Sequence, residues 1–190
     1  MSDRLKEYKI AVLISGGGTN LQSLIDASEA GSIRSKIKLV LSSDPKAYGL
    51  ERAKKSGIEN FFSRDEEEMI TMMDHRGIDL IVLAGYLKVI GPKLLERYPD
   101  RIINIHPSLL PKFGGMGMYG MNVHEAVFAA GEKTSGATVH FVNSVVDGGK
   151  ILIQKETDIS DCSTPKEIRQ RVLELEHKIL VEAIKIMEEV

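Results

Sequence analysis

A chain of 190 residues that is 43% hydrophobic and 27% charged has enough material for one well-buried core, and it is long for a mere binding motif. Its net charge of -2 argues against nucleic acid or an acidic membrane as main partner, so any anion site must be local. A single cysteine, Cys162, excludes an internal disulfide, and no apolar run approaches the roughly 20 residues of a membrane span.

The first seven residues, MSDRLKE, carry mixed charge and lack the apolar core of a secretion signal, so one cytoplasmic domain over residues 1–190 is the expectation. Residues 8–15 form an apolar run that ends in glycines, and Leu21, Leu24, Ile25 and Ser28 follow at helical spacing: strand, tight turn, helix. Residues 37–41 repeat the strand signal. Residues 48–55 read as a helix closed by Gly57, 60–62 as a short strand and 65–76 as a helix. The uninterrupted apolar run at 80–84 is what a parallel strand covered on both faces requires. Residues 92–98 add a short helix and 102–105 another strand. This alternation predicts an α/β fold, a doubly wound and mostly parallel sheet, with ligands beyond the carboxyl ends of the strands.

After Pro111 the chain turns rich in glycine and methionine (GGMGMYGM, 114–121) and reads as a mobile loop. Residues 123–130 read as helix. Residues 138–142 and 150–155 alternate as strands around a turn at 147–149, predicting a hairpin-like pair. Thr164, Pro165 and Glu167 mark the start of a long C-terminal helix, in which Ile168, Val172, Leu175, Ile179, Ala183 and Met187 recur every three or four residues.

Within residues 101–111 (RIINIHPSLLP) two polar side chains, Asn104 and His106, interrupt an apolar run. Residues two apart on a strand share a side, so the pair projects together while Ile103 and Ile105 turn into packing. Pro107 keeps His106 extended. An amide beside an imidazole at a strand end suits a developing oxyanion and the handling of a proton; it equally suits the satisfaction of nearby backbone groups. The turn GGGTNL at 16–21 joins a strand to a helix, where backbone N–H groups and the helix dipole favour phosphate. Leu21 stands where a dinucleotide fingerprint has its third glycine, and no Gly-Lys-Ser/Thr is present. A single phosphate therefore fits better than NAD or ATP, with a purely structural turn as the alternative. Asp147 reads locally as a turn former. His140, His75 and His177 read as structural, and His124 is ambiguous. The five His and one Cys show no metal spacing, so no metal is expected.

Five ordered pieces, LISGGGTNLQ (13–22), VLAGY (82–86), NIHPSLLP (104–111), TVHFV (138–142) and DGG (147–149), resemble the folate-dependent formyltransferases over nearly the whole chain. The resemblance implies a Rossmann-like formyltransferase fold. It also implies transfer of the formyl group of 10-formyltetrahydrofolate, a cosubstrate, to the amine of glycinamide ribonucleotide in purine biosynthesis. No nucleic acid or membrane partner is implied, and a homodimer is allowed. By matched position, Asn104, His106 and Asp147 are the expected catalytic residues. Gly18, Thr19 and Asn20 are expected at the substrate phosphate and Glu176 at the ribonucleotide. Arg64, Leu87, Lys88, Val89, Ile90, Asn143, Ser144, Val145 and Val146 are expected to border the folate. Two alternatives stand beside this reading: hydrolysis of the formyl donor by the same Asn/His/Asp set, and non-catalytic binding of a phosphorylated ligand. The loop at 114–121 is longer than the family's usual pattern and is expected to act as a flexible lid beside the folate.

Overall fold

The computed structural model describes residues 6–189, through which runs a seven-stranded sheet in the order β3-β2-β1-β4-β5-β6-β7. The first five strands are parallel: β1 (Lys9–Ile14), β2 (Lys36–Ser42), β3 (Glu59–Phe62), β4 (Leu80–Leu83) and β5 (Ile102–His106). The last two, β6 (Thr134–Phe141) and β7 (Ile151–Asp158), run antiparallel to their neighbours. Between the strands lie α1 (Thr19–Glu29), α2 (Tyr48–Lys55), α3 (Glu66–His75), α4 (Pro92–Arg97) and α5 (Met121–Ala129), and α6 (Pro165–Glu188) closes the chain. The doubly wound sheet, the hairpin of β6 with β7 and the long last helix are as the sequence predicts. β6 starts earlier than its periodicity suggests, because Thr134–Ala137 pair fully with β7.

Strand alternation builds two cores. Ile10, Val12 and Ile14 of β1, Val82 of β4, and Ile103 and Ile105 of β5 pack with Leu21, Leu24 and Ile25 of α1 and with Ile179, Leu180 and Ala183 of α6. Ala11 and Leu13, with Leu39, Leu41, Ile81 and Ile102, face Met69 and Met73 of α3 and Leu94 of α4. Full burial of each Val, Leu, Ile or Met side chain among these stabilises by about 1.5–3 kcal/mol. With both faces covered, the carboxyl ends of β1, β4 and β5 remain as the edge on which polar chemistry can sit.

α6 begins where its sequence says. Thr164 Oγ1 accepts from Glu167 N at 3.3 Å, Pro165 occupies the first turn, and the Glu167 carboxylate accepts in return from the amide of Ser163, outside the cap. The start of α1 is different: Gly18 caps it in the left-handed region (φ 71°), with no side-chain hydrogen bond. The reason lies in packing. A Cβ on Gly18 would stand 2.7 Å from Gly49 Cα of α2, and Gly49 N donates to Gly16 O at 3.0 Å. Two glycines therefore let α1 and α2 meet, whatever the turn binds.

Gly18→Ala combines an unfavourable positive φ with that contact, and it should destabilise the fold by about 2 kcal/mol or more. Thermal or urea unfolding measures this, and an unchanged midpoint would show that the α1–α2 contact is not tight.

Candidate active site

At the carboxyl end of β5 opens a cavity of 360 Å³, walled by the end of β4 and its loop, β5, β6, the 115–120 loop, the turn at 143–147 and α6. Asn104, His106 and Asp147 all line it. Asn104 and His106 share a side of β5, as the strand period requires, and His106 is buried while Asn104 is partly open. Asp147 reaches them from the turn after β6. Its φ of 55° is a conformation that Asp tolerates better than most residues, so the turn-forming reading and a place in the site both hold.

Hydrogen-bond partners assign the protons. His106 Nε2 is 2.8 Å from the carbonyl of Phe113, and a carbonyl only accepts, so Nε2 carries the hydrogen. Nδ1 then turns a lone pair toward Asp147 Oδ2 at 3.5 Å. Phe113 itself has a positive φ of 54°, a costly conformation for an aromatic residue that aims its carbonyl at the ring. Burial pulls the His106 pKa below its ordinary value, outweighing the upward pull of Asp147 and of the Phe113 carbonyl. For Asp147 the balance goes the other way. Burial pushes its carboxyl up, but the imidazoles of His140 and His106, with the Gly115 N–H that donates at 2.9 Å, more than offset this and hold it below the usual carboxylate value. The pair thus rests as neutral imidazole beside carboxylate.

His140 is not a remote structural residue. Antiparallel pairing sets it directly opposite Asn104, and opposed residues share a face. Its Nδ1 donates to the carbonyl of Phe141 at 2.9 Å, so Nε2 is left to accept from Asn104 Nδ2 at 3.1 Å. Asp147 Oδ1 stands 3.5 Å from that same Nε2. Only the β5–β6 register reveals this, and the motif TVHFV was the one available signal. His124, ambiguous in the sequence, is buried on α5 and lines the cavity, and its Nδ1 has no hydrogen-bond partner among the described residues.

The other expected residues divide. Leu87, Lys88, Val89 and Ile90 line the cavity, as do Asn143, Val145 and Val146; Ser144 and Arg64 do not. The Arg64 Nε donates to the Ser43 carbonyl at 2.7 Å, and its guanidinium stacks 5.4 Å from the Phe62 ring centroid. Asn20 and Glu176 line the far end, joined by Asn20 Nδ2 donating to Glu176 Oε2 at 2.7 Å. Gly18 and Thr19 lie outside the lining. The first intrahelical bond of α1 runs from Gln22 N to Gly18 O, so the amides of Thr19, Asn20 and Leu21 have no acceptor within the helix. Residues 115–120 form hydrogen-bonded turns, with Met118 N on Gly115 O at 3.1 Å and Asn122 Nδ2 on Gly117 O at 3.0 Å. Among the described residues no group of three or more His, Cys, Asp or Glu is placed to hold a metal ion, and no helix is long and apolar enough to cross a membrane.

With this geometry in view, comparison with known proteins is informative. Residues 8–184 match the family described as Formyl transferase. Phosphoribosylglycinamide formyltransferase of Haemophilus influenzae is 44% identical over 186 residues, 93% of this chain and 85% of that one. The chloroplastic phosphoribosylglycinamide formyltransferase of Arabidopsis thaliana is 39% identical over 189 residues, and the match spans only 65% of its length. The crystal structure of phosphoribosylglycinamide formyltransferase from Anaplasma phagocytophilum superposes with a TM-score of 0.90 at 33% identity, covering 96% of this chain and 87% of that one.

Glu176 generates a stability prediction. Burial pushes its pKa from 4.5 up to about 7, against the opposing Asn20 hydrogen bond and Arg169 charge. A carboxyl that binds its proton more tightly when folded contributes full stability below pH 4.5 and loses it as pH rises towards 7. Glu176→Gln keeps an acceptor for Asn20 and removes the titration. The variant should gain on wild type by up to about 3 kcal/mol between pH 4 and pH 8. Parallel melting curves at the two pH values test this, and an equal offset at both would refute it.

Proposed function

The chain belongs to the formyl transferase family, and we propose that it transfers the formyl group of 10-formyltetrahydrofolate to the amine of glycinamide ribonucleotide as a phosphoribosylglycinamide formyltransferase. One observation carries the reading: a neutral imidazole, a carboxylate and an amide converge at the end of β5, in a cavity with an apolar mouth and a polar far end. Leu87, Val89, Val145 and Met116 leave 56%, 65%, 61% and 78% of their surface exposed around that mouth, which suits the flat ring of a folate. The unpaired amides at the start of α1 suit the ribonucleotide's phosphate.

The mechanism follows from the proton assignments. The substrate amine attacks the formyl carbon, and negative charge develops on the formyl oxygen. Asn104 spends one N–H on His140 and has its second for that oxygen. The proton lost by the attacking amine passes to His106 Nδ1, and the imidazolium so formed is stabilised by Asp147 and supplies positive charge beside the oxyanion. Collapse of the tetrahedral intermediate expels the tetrahydrofolate nitrogen, which takes the proton back. No covalent enzyme intermediate is needed. Residues 115–120, tied to Asp147 through the Gly115 amide, cover the cavity as a lid whose methionines adapt to the folate ring.

Incubation with 10-formyltetrahydrofolate, with and without glycinamide ribonucleotide, decides the reaction. Tetrahydrofolate release should depend on the ribonucleotide; release without it means hydrolysis, and binding without turnover means no enzyme. Asn104→Ala, His106→Ala and Asp147→Ala should each cut kcat by about 10²-fold or more with the fold retained, the cost of one oxyanion donor being roughly 2.7–4 kcal/mol. His106→Asn, which keeps a donor but cannot become imidazolium, should be as impaired as His106→Ala. Because His106 must start neutral, the acidic limb of kcat/KM should have its midpoint below the ordinary histidine value of 6.5. A midpoint above it would contradict the assignment. Amide exchange at residues 115–120 should slow when a folate analogue binds, whereas a rate that ignores the analogue removes the lid.

A further inference from the structure

α6 carries a second face that its core-facing stripe does not account for. Arg169, Leu173 and Glu176, at positions i, i+4 and i+7, all border the cavity, while Ile168, Val172 and Ile179 turn into the core. Leu173 and Glu176 are accounted for as wall and as partner of Asn20. Arg169 is not: it is exposed, and its guanidinium takes part in no ion pair or side-chain hydrogen bond found among the described residues.

Its surroundings state what it is for. Lining the same cavity are two buried side chains with polar atoms that lack hydrogen-bond partners among the described residues, His124 Nδ1 and Asn20 Oδ1, at 3% and 8% exposure. His124 supplies no charge: burial, then the Arg169 and His106 charges, pull its pKa down to about 4. Arg52, behind the glycine turn, is engaged with the Gly17 carbonyl at 2.8 Å and with Gln22 Oε1 at 3.2 Å. Lys88 lines the cavity among the apolar Leu87, Val89 and Ile90. At the far end of the cavity Glu176 would repel an anion whenever ionised, and the Arg169 charge opposes it. One cation without a partner among the described residues thus borders the cavity together with Asn20, whose amide is one of those left without an acceptor at the start of α1.

We propose that Arg169 is the cation that recognises the phosphate of the ribonucleotide acceptor, working opposite the α1 amides and selecting phosphorylated over dephosphorylated ribosides. This rests on the acceptor assigned above. A guanidinium can take phosphate oxygens in a bidentate grip, which backbone amides alone cannot supply.

The test is direct binding of ribose 5-phosphate and of ribose by calorimetry, with steady-state kinetics in parallel, for wild type, Arg169→Ala and Arg169→Lys. Arg169→Ala should weaken ribose 5-phosphate by about tenfold or more, raise KM for glycinamide ribonucleotide by a similar factor, and leave ribose, kcat and KM for the folate unchanged. Arg169→Lys should recover part of the loss. Unchanged ribose 5-phosphate affinity in Arg169→Ala overturns the proposal, as does a rise confined to the folate KM, which would assign the cation to folate carboxylates. The two readings fail separately. Absence of ribonucleotide-dependent turnover in wild type removes the reaction, while the calorimetry still judges Arg169.

Discussion

Antiparallel pairing of β5 with β6 sets Asn104 opposite His140 and His106 opposite Thr138, and most of the cavity's chemistry depends on that register. A slip of one residue would turn His140 to the far side of the sheet, leaving the Asn104 amide without the acceptor that orients it. It would also move the turn that follows β6, from which Asp147 returns over His106. The last parallel strand thus supplies two polar groups, and reversal of the next strand brings the groups that orient them.

The electrostatics of this arrangement are set by exclusion of water more than by net charge. The His106 imidazole and the Asp147 carboxyl are packed where burial alone favours the neutral form of each. His106 yields to burial and Asp147 does not, because the carboxylate accepts the Gly115 N–H and is favoured further by a proton on either ring, while the imidazole has one carbonyl and one carboxylate. That asymmetry places a base next to an anion, a state poised to take up one proton.

α6 ties the site to the fold. One stripe of the helix fills the larger core, and its neighbouring stripe carries Glu176 to Asn20 at the head of α1. The glycine turn shows the same double use. Gly18 and Gly49 are required for two helices to approach, and the backbone so placed leaves three amides pointing outward at the start of α1.

Local patterns were enough to predict the order of elements, because apolar period, glycine turns and the Thr164 cap are properties of neighbouring residues. They were also enough to single out Asn104 and His106, which share a strand and obey its period, and to mark the 16–21 turn. The remaining parts of the cavity come from elsewhere in the chain. Local sequence made Asp147 a turn former and His140 a strand filler; both descriptions hold, and neither says what stands opposite. Arg64 stands at a matched position, yet it is turned to the Ser43 carbonyl, while Arg169 lies on a face of α6 that neither the helix's apolar stripe nor its cap marks. Periodicity determines which residues share a face of one element. Which faces of different elements meet depends on strand register and helix packing, and those are decided only when the whole sheet closes.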